Sequence, residues 1–218
     1  MTLFRLDASI RVEGSHSRAL GDLVEHEWTQ AHPGDEVVRR HLGTDPLPAT
    51  AWADAVSGAY VAPEERTPAQ ADAATIAAGL VDELVAADAL LFAVPLYNFG
   101  VSQHFKTYVD LVITDPRMAA GVESAIAGKP AVLATVRGGA YGAGTPREGW
   151  DHATGWMRRI LEDVWGLELH AVEEEFSLVG VNPALDQFAD LAEKIRSDAA
   201  SLASEHGRSL AGSLRRSA

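Results

Sequence analysis

Residues 89–97 read ALLFAVPLY, nine residues with no charge and no break in hydrophobicity. A run so short and so evenly apolar is a strand buried on both faces, which belongs in a parallel sheet covered by helices on each side. Pro95 has no N–H to give a neighbouring strand and is expected to end this one. Polar Asn98 and permissive Gly100 follow, and Ser102 opens an amphipathic helix over residues 103–113. In an open parallel sheet, ligands bind just past the carboxyl ends of the strands. Tyr97, Asn98 and Phe99 are therefore at a binding edge by sequence alone.

The rest of the chain alternates in the same way. A short strand over residues 3–6 is followed by a polar loop and a helix over 17–31, with Leu20, Leu23, Val24 and Trp28 on one stripe. A second strand spans 36–42, and a short helix 49–58. Thr67-Pro68, a cap followed by proline at the first helical position, opens a long helix to residue 86. A fourth strand spans 131–136, a helix 148–165, a fifth strand falls within 167–176, and a last helix covers 183–203. Helices of this length between strands demand parallel pairing and right-handed crossovers. The expected fold class is α/β: a flavodoxin-like, doubly wound, five-stranded parallel sheet of order 2-1-3-4-5. One domain is expected over 1–206, with 207–218 as a frayed tail.

Composition removes several classes of function. A formal net charge of −13 makes nucleic acid an unsuitable partner. There is no cysteine, so disulfides, thiolate catalysis and zinc-thiolate sites are out. The histidines are scattered without H-E-x-x-H spacing, and no metal site is indicated. The N-terminus reads as a strand and not as a signal peptide. The apolar run at 89–97 is far too short to span a bilayer. No membrane partner and a cytoplasmic location are expected.

Three loops follow the first, third and fourth strands and meet above the carboxyl edge of such a sheet. The first, 9–17, holds Ser9, Ser15 and Ser17 with Arg11 and Gly14, directly before a helix N-terminus. Free backbone N–H groups and the helix dipole favour a phosphate there; an ordinary cap on a solvated loop is the alternative. The third, 137–144, carries glycine at 138, 139, 142 and 144. Glycine lets a backbone approach a flat ligand, although a flexible turn has the same composition. Other fingerprints fail. Gly142-x-Gly144 is followed by Arg147 where a dinucleotide motif needs a small residue, and Gly128-Lys129 runs into Pro130 and is no P-loop. No G-x-S-x-G occurs.

Taken together, these loops resemble those of the FMN-dependent NADH-azoreductases, within the flavodoxin-like NAD(P)H quinone reductases. Ser9 with Ser15-His16-Ser17 is similar to that family's phosphate loop, Pro95-Leu-Tyr-Asn-Phe99 to its P-[ML]-Y-N-F flavin loop, and Arg137-Gly138-Gly139 to its (S)RGG loop. The resemblance implies bound FMN, with NADH or NADPH as substrate. Ser9, Ser15, His16 and Ser17 would hold the phosphate. Leu96, Tyr97, Asn98 and Phe99 would lie along the ribityl chain and ring, the Asn98 backbone N–H facing flavin N5. Arg137, Gly138 and Gly139 would serve the N1/O2 edge, where donors stabilise charge on the reduced ring. No side chain is assigned as a catalytic acid or base; the reaction is carried by the flavin. The acceptors implied are small aromatic molecules, quinones and azo compounds, and the family is usually a homodimer.

Two departures bear on this. Val136 stands where the family often has serine, which removes one polar flavin contact. Residues 114–128 lack the aromatic residues that help roof the acceptor pocket in relatives, so this segment is expected to be mobile and the acceptor site wide. A flavodoxin-like electron carrier and a flavin-free structural relative remain as alternatives. His104 reads as structural, Tyr97 as a packed ring with a satisfied hydroxyl, and Glu173-Glu174-Glu175 as a solvated face.

Overall fold

The computed structural model describes residues 1–213. Its core is one twisted sheet. Strand β1 (Thr2–Asp7) pairs in parallel with β2 (Glu36–His41) on one side and β3 (Ala89–Tyr97) on the other. β3 then pairs with β5 (Pro130–Val136), and β5 with β6 (Glu168–Glu174), all parallel. The five parallel strands thus follow the expected order. A sixth, β4 (Gly100–Val101), turns back antiparallel on the end of β3, pairing Tyr97 with Gly100 and Leu96 with Val101.

That hairpin corrects the expectation that Pro95 ends the strand. Pro95 is the last parallel partner, opposite Val136, and the chain stays extended for two residues beyond it. The missing N–H falls where β3 leaves its parallel neighbours and takes up β4, so no ladder bond in the sheet centre is lost.

Helices α1 (His16–Ala31) and α6 (Ala189–Ser213) cover one face. Leu20, Val24 and Trp28 pack there with Leu3, Leu91, Val132 and Val172. On the other face α2 (Ala51–Gly58), α3 (Pro68–Ala86), α4 (Gln103–Val112) and α5 (Thr154–Arg158) enclose a second core around Phe92, Phe105, Tyr108 and Trp165. Helices α1, α3 and α4 start at side-chain caps, those at Ser102 and Thr67 as the sequence suggests. Ser15 accepts from the Arg18 N–H, Ser102 from Phe105, and Thr67 makes a reciprocal capping box with Gln70.

Three expectations are corrected. The helix expected over 148–165 begins at Thr154, because Asp151 accepts from the Ala153 and Thr154 N–H groups and so sets its start. It continues as a π-helical turn, Arg159–Val164, in which the Trp165 N–H reaches back to the Ile160 carbonyl at 2.8 Å. The last helix does not fray at 207: it continues through Ser213, with Leu210 and Ala211 buried and Gly207 packed against α1. The remainder of the expected tail, 214–218, lies outside the described residues. Finally, 114–128 is pinned. Met118 and Ile126 are buried in the core, and Arg117 bridges Asp115 and Asp82. Two well-spaced apolar anchors hold a segment whose composition alone looked featureless.

Candidate cofactor site

The loops after β1, β3, β5 and β6 border one cavity of about 880 Å³ at the carboxyl edge of the sheet. Of the residues singled out by sequence, Ser9, Ser15, His16, Ser17, Leu96, Tyr97, Asn98 and Gly138 line it. Phe99, Arg137 and Gly139 do not. Arg11, His104, Val136, Ser177 and Leu178 line it as well. Residues 114–128 contribute nothing to the lining, so that segment does not roof this cavity.

At one end, the loop after β1 is folded against β3. The Tyr97 hydroxyl bonds Ser9 Oγ at 3.2 Å and accepts from the Ile10 N–H at 3.2 Å, while Ser9 Oγ accepts from the Arg11 N–H. Ser15 and Ser17 Oγ atoms lie 3.3 Å apart and are buried. Within the described residues the N–H groups of His16 and Ser17, in the first turn of α1, have no internal acceptor. Gly43, from the loop after β2, backs this turn so closely that a Cβ there would overlap the Ser9 carbonyl oxygen.

The middle wall is the hairpin β3–β4. Asn98 and Phe99 occupy its two central positions with φ of 48° and 68°. Positive φ at both is the signature of a type I′ turn, which asparagine tolerates and phenylalanine does not. The strain is held in place from outside: the Phe99 carbonyl accepts from the His152 N–H at 2.9 Å, and its ring meets Trp150 and Tyr141 edge-on. The Arg147 guanidinium lies over both the Phe99 and Tyr141 rings.

The opposite wall is the glycine-rich loop. The Gly138 and Gly139 carbonyls accept from Leu178 and Phe176, and their N–H groups have no acceptor within the described residues. A Cβ on Gly138 would come within 2.6 Å of Leu178 Cδ1, so any other residue here would push that side chain aside. Arg137 points away from the cavity, to Asp151 at 2.8 Å and to Glu173. Burial alone would raise the Asp151 carboxyl, but hydrogen bonds from Thr154 and Ala153 and the Arg137 charge hold it below the usual aspartate range.

The triplet 173–175 is not one solvated face: Glu173 is exposed, but Glu174 is buried and Glu175 half-buried. Successive residues of a strand point to opposite sides, and these three divide accordingly. Glu173 pairs with Arg137, and Glu175 accepts from the Tyr141 N–H at 2.8 Å. Glu174, 2% exposed, points the other way, to His16 Nδ1 at 2.6 Å. No local pattern could have announced this, since every partner is distant in sequence.

Hydroxyls and free N–H groups at a helix N-terminus suit a phosphate. A cleft with a glycine wall suits a flat ring. The parallel sheet, its strand order and a cleft at its carboxyl edge define a flavodoxin-like protein, and the family model described as Flavodoxin-like fold matches residues 1–197. The chain belongs to this family. Its curated relatives include an FMN-dependent NADH:quinone oxidoreductase of Frankia alni, 39% identical over 196 residues, which cover 89% of this chain and 92% of that one. A protein of the same name from Streptomyces avermitilis is 35% identical over 209 residues, 94% and 96% of the two chains. Among solved structures, an azoreductase of Bacillus anthracis superposes with a TM-score of 0.81 at 23% identity, covering 96% of this chain and 99% of that one, a likeness of fold. Among the described residues no helix is long and apolar enough to cross a membrane, and no cluster of three or more potential metal ligands occurs.

Proposed function

We propose that the protein is a cytoplasmic, FMN-dependent NAD(P)H oxidoreductase that reduces quinones and azo compounds. The observation that carries this reading is the cavity edge, where N–H groups of His16, Ser17, Asn98 and Gly138 have no acceptor within the described residues. Four backbone donors from three loops around one cleft are a ready-made set for a ligand with a phosphate at one end and a polar ring at the other.

Ser9, Ser15, His16 and Ser17 would hold the phosphate. Leu96, Tyr97 and Asn98 would lie along the ribityl chain and ring, and Gly138 and Gly139 against the pyrimidine edge. When bound, FMN would supply the redox chemistry, taking a hydride at N5 from the nicotinamide and giving it to the acceptor in a second, ping-pong half-reaction. The chain's own part is placement. Tyr97 fixes the phosphate loop to β3 through its hydroxyl. The strained turn sets the Asn98 N–H in one orientation, at no reorganisation cost during reaction. Apolar Pro95, Leu96, Val136 and Leu178 restrict water on the walls. Arg137 acts indirectly, tying the glycine loop to β6 and to the start of α5.

A homodimer is proposed too, on the resemblance to the family and on the exposed aromatic rim beside the cavity. Phe99 is 38% and Trp150 51% exposed, an uncommon arrangement for a rim that faces only solvent. The alternative reading as an electron carrier is disfavoured by the 43–66 insert, which a carrier has no use for. Titrating the purified protein with FMN tests the cofactor reading. Quenching of flavin fluorescence with one-to-one saturation is expected, and fluorescence unchanged by excess protein would refute it.

A further inference from the structure

Glu174 and His16 form a carboxylate–histidine pair between the sheet and the cavity. Oε1 of Glu174 lies 2.6 Å from His16 Nδ1. The Glu174 side chain is 3% exposed, whereas that of His16 is 28% exposed and lines the cavity. Apart from His16, the charged group facing this carboxylate is Arg196 of α6, with its Nε at 3.8 Å. A buried carboxylate beneath an anion site is costly unless something intervenes. Here the imidazole does.

We propose that Glu174 is a positioning residue: by accepting from His16 Nδ1–H it turns Nε2 toward the cavity and supports a proton on both ring nitrogens, so that Nε2–H donates to the ligand's phosphate and makes His16 a selector for it. The inference rests on the flavin reading above. In the imidazolium both ring nitrogens are donors, so one ring can bridge a carboxylate and a phosphate, and carboxylate partners of this kind orient the ring as well. Glu174 also sits at a rigid place. It is the last residue of β6, paired with Val136, and its carbonyl accepts from the Arg137 N–H at 2.8 Å. The imidazole is therefore fixed from the sheet and not only from the loop that carries it.

The test is binding, not turnover. Affinities for FMN and for riboflavin, which lacks the phosphate, are measured by fluorescence quenching with the wild-type protein, Glu174→Gln, His16→Ala and the double variant. Glu174→Gln keeps the side-chain shape but removes the charge that supports a proton on both ring nitrogens. The FMN-to-riboflavin affinity ratio should fall about ten-fold, the scale of one weakened hydrogen bond to a charged group, while riboflavin affinity holds. In the His16→Ala background the same substitution should change the ratio no further. An unchanged ratio, or equal weakening for both flavins, would overturn the proposal, because a purely structural role affects both alike. If Glu174→Gln does not fold, Glu174→Asp, which keeps the charge and withdraws it from Nδ1, should lower the ratio in the same way, and an unchanged ratio there would overturn it. A wild-type protein that binds neither flavin would instead overturn the flavin reading itself.

Discussion

Asn98 and Phe99 hold a conformation that most residues avoid, and the site depends on it. At φ 48° a side chain branched at Cβ clashes with the backbone. Asn98→Val should therefore cost about 1–2 kcal/mol of stability, read as a lower urea midpoint at unchanged slope. Asn98→Gly should keep both the turn and the flavin affinity, since the backbone N–H is the group offered to the ligand. Ser17 is fully buried with its hydroxyl beside that of Ser15. Ser17→Ala should weaken FMN binding by about 1.5–3 kcal/mol, the range for a hydrogen bond with one charged partner; titration checks this, and unchanged affinity would mean that backbone alone holds the phosphate. Gly43→Ala would drive a methyl into the Ser9 carbonyl. Overpacking of this kind costs about 1–3 kcal/mol, and FMN affinity should fall with stability because Ser9 is displaced.

Elements were read from sequence unevenly, and the reasons are physical. Strands β3 and β5 announce themselves because a central parallel strand needs apolar residues on both faces. Helix α3 does so because Thr67, Pro68 and Gln70 are all local signals. The candidate site was legible where its residues are contiguous, at 15–17 and 95–98. It was not legible at 173–175, where Arg137, His16 and Tyr141 arrive from distant loops, nor at Ser177 and Leu178. Pro95 misled because the antiparallel return of Gly100–Val101 cannot be seen in an isolated strand. The segment 114–128 misled because Met118 and Ile126 are few but both deeply buried. Ile126→Ala should cost about 2–5 kcal/mol by leaving a cavity, measurable by thermal unfolding; a loss within 0.5 kcal/mol, about the noise of an exposed substitution, would mean the segment is loose after all. The wide acceptor site expected from an open linker loses its basis with that linker pinned away from the cavity.

Across the whole molecule, acid should act through a few carboxylates. Glu25 is pushed up by burial but held below its usual range by Arg39 and Arg5; Asp115 is lowered chiefly by its hydrogen bonds from Arg117; Asp151 is lowered as described. A carboxylate with a lower value folded than unfolded stabilises the fold above its unfolded value. That contribution is lost as pH falls through the ordinary carboxylate range, about 3.9–4.3, toward the lower folded values. Stability should fall steeply in that window, and the Asp151→Asn variant should show a shallower decline; identical pH profiles would separate Asp151 from the effect. The exposed rim of Phe99 and Trp150 predicts a dimer by sedimentation, and Trp150→Glu should shift it toward monomer. The central claim is tested most directly by one anaerobic experiment, with the FMN-loaded protein mixed first with NADH and then with a quinone. The account predicts that the visible flavin absorption bleaches on the first mixing and returns on the second, with no NADH left in solution. Flavin that stays oxidised with both NADH and NADPH would contradict it and leave a carrier.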